Sequence, residues 1–296
     1  MLRKHHGMST HETGVLILST APLAPAAAML QKNDVLLSVD NIRVANDGTI
    51  PFREGAFKER VQVNYYFTQR FESDIVSLEI LRHGERMVVK APLWVPKKLI
   101  PRTLTQKNYI NVSSNEGTGS KGSIVGGVPS YMMIGGLVLM ALSKEYLEAE
   151  FDPEHMGDFE GWADEYKLLS LSDSSQQEVG EEVVILSQVI AHTCNIGYEL
   201  LRNMRLTHFN GAPVKNLRSL KTMVDAASNT LKASQVGSAR GKANRRAIIS
   251  ALEAPLVFEF SSGQIVVLEA SAAFAAQSQI ASEHFIRAAQ SVDLEQ

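Results

Sequence analysis

The sequence predicts an α+β, mainly β chain built from two similar modules, each a small β-sandwich or barrel with flanking helices. Three observations carry this prediction. The length of 296 residues favours about two domains. Apolar runs of strand length recur and end at tight-turn signals such as Asn210-Gly211. The order strand, strand, helix, strand, strand occurs twice along the chain.

The clearer copy begins near Glu181. An apolar strand starts at Val183, and a second strand ends at Asn210-Gly211, two residues that tolerate positive φ. Asn216 is the predicted N-cap of a helix, because apolar residues follow it at helical spacing, namely Leu217, Leu220 and Val224. Ser-Ser-Gly then joins the two predicted strands, Leu256–Phe260 and Gln264–Glu269.

The first copy lies near the start of the chain. Strands are predicted at Gly14–Leu18 and Lys32–Asp40, and Asn33 and Asn41 stand at turn positions that favour a left-handed backbone. A helix from about Lys58 to Gln69 is expected to lead to two strands joined by His83-Gly84, namely Ile75–Arg82 and Arg86–Pro92.

Several strings of residues resemble one known family. They are FNGAPVKN in the second copy, and NDVLLSVDN and VANDGTIPFREGAFKERVQVNYYFTQR in the first. Both modules resemble PDZ domains, in particular the tandem PDZ region in the C-terminal half of plant-type Deg/HtrA serine proteases. The resemblance implies peptide binding and oligomer assembly, with peptide or protein C-termini, further copies of the chain or Deg protease subunits as partners. It also suggests a plastid (chloroplast) location.

The predicted domain boundaries follow from this resemblance and from composition. Compared with the family, the first domain is expected to lack a strand that would precede Met1. In the second domain, Trp162 and Tyr166 are expected to anchor an acidic, irregular segment at 150–181. A basic insertion without acidic residues is read as a solvated, mobile loop. The predicted segments are a first domain at 1–100, a linker at 101–124, a second domain at 125–275 with the insertion at 229–251, and a C-terminal tail at 276–296.

Composition excludes several classes of partner. The formal net charge of -3 gives no reason to expect nucleic acid, and no metal or cofactor is expected. The uncharged run Ile124–Leu142 has the length of a membrane helix, but its glycines and Pro129 divide it into strand-sized pieces, so we expect no membrane span. The single cysteine, Cys194, lies in an apolar setting and is interpreted as a small core residue.

The sequence contains no catalytic set that can be named. A serine protease of this kind needs a G-N-S-G-G turn, which is absent, and Ser261-Ser262-Gly263 is interpreted as a hairpin turn. His5 and His6 are placed in a loop, and His192 and His208 on strands. Whether the gene product is an enzyme stays open, since the chain can be part of an active protease or a stand-alone adaptor of one.

By correspondence with the family, each module has a groove between a strand and a helix, where a peptide adds as a strand and backbone N–H groups hold its carboxylate. The first predicted groove comprises Arg3, Lys4, Gly14, Val15, Leu16, Ile17, Val61, Tyr65 and Thr68. The second comprises Val183, Val184, Ile185, Leu217, Leu220 and Val224.

Overall fold

The computed structural model describes residues 2–52, 59–102, 130–151, 163–239 and 255–295. Contacts divide the chain into two compact units. The first consists of Met1–Lys97 and Gln177–Val179, and the second of Lys98–Gln176 and Gly180–Gln296. Most of the predicted linker and the basic end of the predicted insertion lie outside the described residues. Leu99 and Ile100, assigned by sequence to the first domain, are buried in the second unit.

The first unit is an open antiparallel sheet with a separate hairpin beside it. The 5-stranded sheet has the order β1-β2-β6-β7, with β3 paired to β2, and β4 pairs with β5. The helices are α1 (Leu2–His5) and α2 (Val63–Thr68), and a 3-10 turn covers Pro25–Ala28. The strands are β1 (Val15–Leu16), β2 (Val35–Val39), β3 (Ile42–Arg43), β4 (Thr49–Pro51), β5 (Arg60–Gln62), β6 (Ile75–Arg82) and β7 (Glu85–Pro92).

Local signals were sufficient for most of this unit. Asn33 and Asn41 adopt φ of 76° and 67°, the left-handed conformation expected of them, and the β6–β7 hairpin turns at His83-Gly84 as predicted. The predicted helix at 58–69 was wrong in its first half. Its described residues Arg60–Gln62 are extended because they pair with Thr49–Pro51, and the helix begins only at Val63.

A partly buried ion pair joins the ends of the two inner strands β2 and β6 of this sheet. The Asp34 carboxylate accepts hydrogen bonds from Arg82 Nε (2.8 Å), Arg82 Nη2 (2.7 Å) and the Gln31 N–H (2.7 Å). Arg82 Nη2 also donates to the carbonyl of Met29 at 2.7 Å. Burial alone would raise the pKa of Asp34, but these bonds and the guanidinium charge outweigh it and hold that pKa below its ordinary value.

The second unit contains a larger open sheet. The 7-stranded sheet has the order β14-β13-β11-β10-β9-β8, with β12 paired to β11. The helices are α3 (Lys144–Glu150), α4 (Ala163–Ser170), α5 (Leu217–Ala239) and α6 (Ala270–Glu283), and 3-10 turns cover Thr193–Asn195 and Val292–Leu294. The strands are β8 (Tyr131–Ile134), β9 (Leu137–Ala141), β10 (Val184–Val189), β11 (Met204–Phe209), β12 (Ala212–Pro213), β13 (Pro255–Phe260) and β14 (Ile265–Glu269).

Several sequence predictions for this unit are confirmed. Asn210 and Gly211 have φ of 49° and 76° in the β11–β12 turn, and the Asn216 side chain caps α5 by accepting the N–H of Ser219 at 2.7 Å. The described part of the uncharged run forms the β8–β9 hairpin, and no helix in the described ranges is long and apolar enough to cross a membrane. Cys194 packs beside an apolar cluster, where burial raises the pKa of its thiol.

Four other predictions need correction. The segment at 150–181 is not wholly irregular, since it contains α4, and the side chains of Trp162 and Tyr166 lie outside the described part. His192 is not on a strand but caps the 3-10 turn at Thr193–Asn195. The predicted loop at 229–251 begins as a continuation of α5, which buries Leu231 in the core. The predicted tail begins inside α6, whose Ala276 and Ile280 are buried.

The ion pair gives a prediction for the stability of the first unit. Arg82→Met leaves the Asp34 carboxylate without its cation, so we expect a clear loss in the free energy of unfolding, larger than the loss at an exposed ion pair. The matched control is Arg86→Met, whose exposed contacts with Glu12 and Glu79 should contribute about 1 kcal/mol or less. Denaturant unfolding at pH 7 measures both, and equal effects would contradict the assignment.

The same carboxylate predicts a pH dependence. The folded-state pKa of Asp34 lies below its unfolded value of about 3.9, so its stabilisation is complete above that value and disappears as the pH falls through the folded pKa. Denaturant unfolding between pH 6 and pH 2 should show a steeper loss of stability in the wild type than in Asp34→Asn. Parallel curves for the two proteins would show that Asp34 does not carry this dependence.

The corrected helix α5 gives a second stability prediction. Leu231→Ala should destabilise the second unit by about 2–4 kcal/mol, because the side chain belongs to the main apolar core. Lys232→Ala, the neighbouring exposed position, should change stability by less than about 0.5 kcal/mol. Thermal unfolding of the two variants distinguishes a buried helix from a dispensable loop, for which both effects would be small.

Candidate functional site

The strand β1 is an edge strand of the first unit. It pairs with β2 on one side, Val15 opposite Leu36, and ends the strand order of the sheet. Both backbone groups of Ile17 bond toward β2: its N–H donates to Asp34 at 2.8 Å and its carbonyl accepts from Asn33 at 2.9 Å. Since these directions alternate along a strand, the N–H and C=O of Leu16 point to the unpaired side. That side can accept an added strand.

A cleft of about 350 Å³ adjoins this edge. Met8, Leu16 and Val35 supply its apolar wall, and Arg3 and His6 supply cationic and titratable groups. Gly14 and Asn46 complete the lining. The Gly14 N–H donates to the Asn46 side chain at 3.3 Å, a long and exposed bond that a stronger acceptor can replace. The cleft therefore combines an apolar surface with groups that attract a carboxylate.

Close packing explains why residue 14 is a glycine. A Cβ at this position would lie 2.5 Å from the carbonyl oxygen of Leu36, closer than real contacts allow. Any side chain would therefore push the start of β1 away from β2. Gly14 keeps the edge strand, and with it the cleft, against the sheet.

In the second unit one edge strand is β8, and residues 288–295 cover it. Met132 bridges Gln290, the Met133 N–H donates to Ala289 O at 2.7 Å, and the Ser291 N–H donates to Tyr131 O at 2.9 Å. We call residues 288–295 the closing segment. It pairs with β8 through a single bridge at Gln290, continues as the 3-10 turn Val292–Leu294, and ends with Leu294 buried in the main core.

The side chains of the closing segment are also held. Ser130 Oγ donates to the Asp293 carboxylate at 2.7 Å, and Arg218 Nη2, on α5, donates to the Asp293 carbonyl at 2.7 Å. Burial would raise the pKa of Asp293, but hydrogen bonds from Ser291 and Ser130 and the charge of Arg218 hold it below its ordinary value. The segment thus lies between an edge strand and a helix.

Comparison with known proteins decides the family. The model of the PDZ domain family matches residues 122–293, more than half of the chain. The chain belongs to the PDZ domain family. This confirms the recognition made from the sequence, and the β-rich fold with flanking helices agrees with it.

The relatives are proteases. Protease Do-like 2, chloroplastic, of Arabidopsis thaliana is 31% identical over 99% of this chain and 39% of its own length. Protease Do-like 4, mitochondrial, of the same plant is 25% identical over 76% of this chain and 35% of its length. A serine protease DegP homolog of Plasmodium falciparum is 23% identical over 68% and 19%. The chain spans about two fifths or less of these relatives and is a protease-associated PDZ region.

The structure brings together part of the predicted first groove. Arg3, Gly14 and Leu16 line the cleft, whereas Val15 and Val61 pack against the core. The side chain of Lys4 lies outside the described part. Sequence reasoning missed four lining residues that approach the cleft from separate segments and share no sequence pattern: His6, Met8, Val35 and Asn46.

The helix residues of that predicted groove lie on α2. The Tyr65 ring is 42% exposed and packs edge-on against Phe52 at 5.5 Å, and Thr68 Oγ1 donates to the Tyr65 carbonyl at 2.8 Å. Neither residue lines the cleft beside β1. Their part in peptide binding stays a prediction.

The strand of the second predicted groove lies inside the sheet. Val184 pairs with Ala141 of β9, and Ile185 pairs with Arg205 of β11, so β10 has a neighbour on each side and no edge for a peptide. The remaining members of that prediction are buried core residues as well: Val183, Leu217, Leu220 and Val224. The face of α5 toward the closing segment instead carries Arg218, Lys221, Thr222 and Asp225.

Across the described ranges, no group of three or more His, Cys, Asp or Glu side chains is placed to hold a metal ion. Ser261-Ser262-Gly263 forms the β13–β14 hairpin turn as the sequence predicted, with Gly263 at φ of 86°. The groups that converge in the PDZ modules are strand edges, apolar walls and a few charged side chains.

Proposed function

We propose that the first PDZ module binds an extended peptide end at the β1 edge and thereby regulates a Do-like serine protease. The observation that carries this proposal is the edge of β1, which no strand of the described residues pairs, beside the cleft of Met8, Leu16 and Val35. A peptide that adds to this edge gains main-chain hydrogen bonds from Leu16 and buries an apolar side chain in the cleft.

The charge of Arg3 and the Gly14 N–H donor favour a peptide carboxylate at the start of β1. Arg3 lines the cleft beside Gly14, and its Nη1 makes a long bond of 3.4 Å to the Thr10 carbonyl. A carboxylate is a stronger acceptor than the Asn46 amide oxygen, so it can replace Asn46 as the acceptor of the Gly14 N–H. The ligand class is therefore a peptide with a free C-terminus and an apolar last residue.

Peptide titration tests this proposal. A C-terminal peptide library with free carboxylates should bind with dissociation constants of roughly micromolar or weaker, and amidated copies should bind at least about tenfold more weakly. Leu16→Asp should abolish binding, whereas Val88→Asp, the same change at an exposed position on the opposite edge strand β7, should preserve it. Equal binding of free and amidated peptides would contradict the carboxylate assignment.

Assembly with other chains is a second proposed function. An exposed apolar surface supports it: Ile265 and Val267 project from the edge strand β14, and Ile196 and Leu200 are exposed in the neighbouring turn region. Surfaces of this kind commonly mark protein interfaces. Val267→Glu should reduce self-association, or co-purification with a Do-like protease subunit, in sedimentation and pull-down measurements. Unchanged association would place the interface elsewhere.

The role of the chain beside a protease and its location both remain predictions. The chain can act within an active protease or as an adaptor of one, and co-purified proteolytic activity distinguishes these roles. The relatives carry both chloroplastic and mitochondrial names, so the plastid location rests on the sequence resemblance.

A further inference from the structure

We propose that His6 makes peptide binding by the first module sensitive to pH: its protonated imidazolium joins Arg3 in holding the peptide carboxylate, so free C-termini bind more tightly as the pH falls. His6 and Arg3 line the cleft beside β1 together with Gly14 and Asn46. The inference rests on the peptide binding proposed for this cleft and adds the regulation of the same site.

The cleft takes its basic groups from one short stretch of chain. Residues 2–13, here called the N-terminal strap, are held against the first unit at three positions. Met8 packs on the smaller apolar cluster of β2 and β6. Glu12 forms an ion pair with Arg86 of β7, and the Thr13 hydroxyl donates to a main-chain carbonyl just after β3 at 2.7 Å. The strap therefore presents its basic groups from a fixed position.

The backbone at Gly7 explains how the strap reaches the cleft twice. Gly7 has φ of 75°, a left-handed conformation that glycine adopts without strain. A Cβ at this position would lie 2.8 Å from the Cα of Gly84 in the β6–β7 turn, which is too close for a real contact. The position therefore favours glycine, and the bend at Gly7 lets both His6 and Met8 line the cleft.

The lining of the cleft contains basic groups and no acidic ones. Among the described residues that line it, none is an aspartate or a glutamate, and β1, β2 and the loop at Asn46 contribute uncharged residues. The charged and titratable groups around His6 are Arg3 of α1, the neighbouring His5, and His83 in the hairpin turn that touches the strap. Protonation of His6 therefore adds a second positive charge beside Arg3, and a ligand carboxylate can pair with it.

The imidazole of His6 is the lining group whose charge responds to pH near neutrality. Histidine side chains ordinarily titrate near pH 6.5, whereas arginine stays charged and a peptide carboxylate stays ionised. A neutral imidazole offers one N–H donor, and an imidazolium offers two donors and a full charge, so a carboxylate binds the protonated form more tightly. By linkage, binding takes up a proton, and the affinity rises as the pH falls through the titration of the imidazole.

The adjacent histidine provides a comparison within the same strap. The ring of His5 lies edge-on to the ring of His6, with the two centroids 4.9 Å apart. His5 is exposed and does not line the cleft. The two side chains are chemically identical, so a difference between them in a binding assay reports the place of the ring at the cleft rather than the overall charge of the strap.

Peptide titration of the full chain at two pH values tests the inference. The probe is a pool of N-acetylated hexapeptides of uncharged residues, without histidine or cysteine, each with a free C-terminal Leu, Ile, Val or Phe. The wild type should bind the pool about three- to tenfold more tightly at pH 5.5 than at pH 8, because tenfold in affinity corresponds to one unit of histidine pKa. Amidated copies of the pool should show no such increase.

Substitutions assign the increase to one side chain. His6→Gln keeps a donor but carries no charge, so it should bind like the wild type at pH 8 and lose the increase at pH 5.5. The matched controls His5→Gln and His83→Gln should keep the full increase. His6→Lys is charged at both pH values and should bind at pH 8 as tightly as the wild type does at pH 5.5, which gives a second test if His6→Gln unfolds. Arg3→Gln should weaken binding at both pH values.

The outcomes separate this inference from the function on which it rests. Equal binding of the pool by the wild type at the two pH values would overturn the inference and leave peptide binding by the cleft intact. The same holds if folded His6→Gln keeps the increase, or if His5→Gln loses it. Absence of binding at both pH values would instead contradict the peptide binding proposed for the cleft itself.

Discussion

A strand at the edge of a β-sheet has backbone N–H and C=O groups that no neighbouring strand satisfies, and the two modules treat this constraint differently. In the first module the outward side of β1 is paired with no strand of the described part of the chain. In the second module the outward side of β8 is covered by the closing segment and by Gln277. An uncovered edge attracts another chain, so the difference separates an open binding surface from an occupied one.

The rest of each module holds these edges in place. The Asp34–Arg82 pair joins the segment before β2 to the end of β6, and β2 in turn carries β1. Gly14 permits the close approach of β1 to β2. In the second module, α5 and α6 pack on β8, so the groove that holds the closing segment has a fixed wall and a fixed floor. Binding by strand addition needs such rigidity, because a mobile edge would lose more entropy when a peptide orders it.

Local signals in the sequence were enough for most strands and turns but not for the covered edge of the second module. Turns such as Asn33, Asn41 and Asn210-Gly211 depend on the conformational preferences of one or two residues, and those preferences are visible in the sequence. The pairing of Met132 with Gln290 joins residues at opposite ends of the module, and no local pattern marks it. The apolar spacing of Leu217, Leu220 and Val224 was read correctly as a helix face. That face lies against the core of the module rather than in a peptide groove. The spacing of the residues shows that the helix is amphipathic, but it does not show what covers the apolar side.

Amide hydrogen exchange of the native chain measures the central contrast directly. Without added peptide, the Leu16 amide should exchange at a rate close to that of an unstructured chain, because it points away from β2 and no strand in the described ranges pairs with that side. The Met133 amide, bonded to Ala289 in the closing segment, should exchange at least about a hundredfold more slowly. Addition of a binding C-terminal peptide should slow Leu16 alone. A Leu16 amide that is already as protected as Met133 would contradict the account, since β1 would then have no open edge to offer.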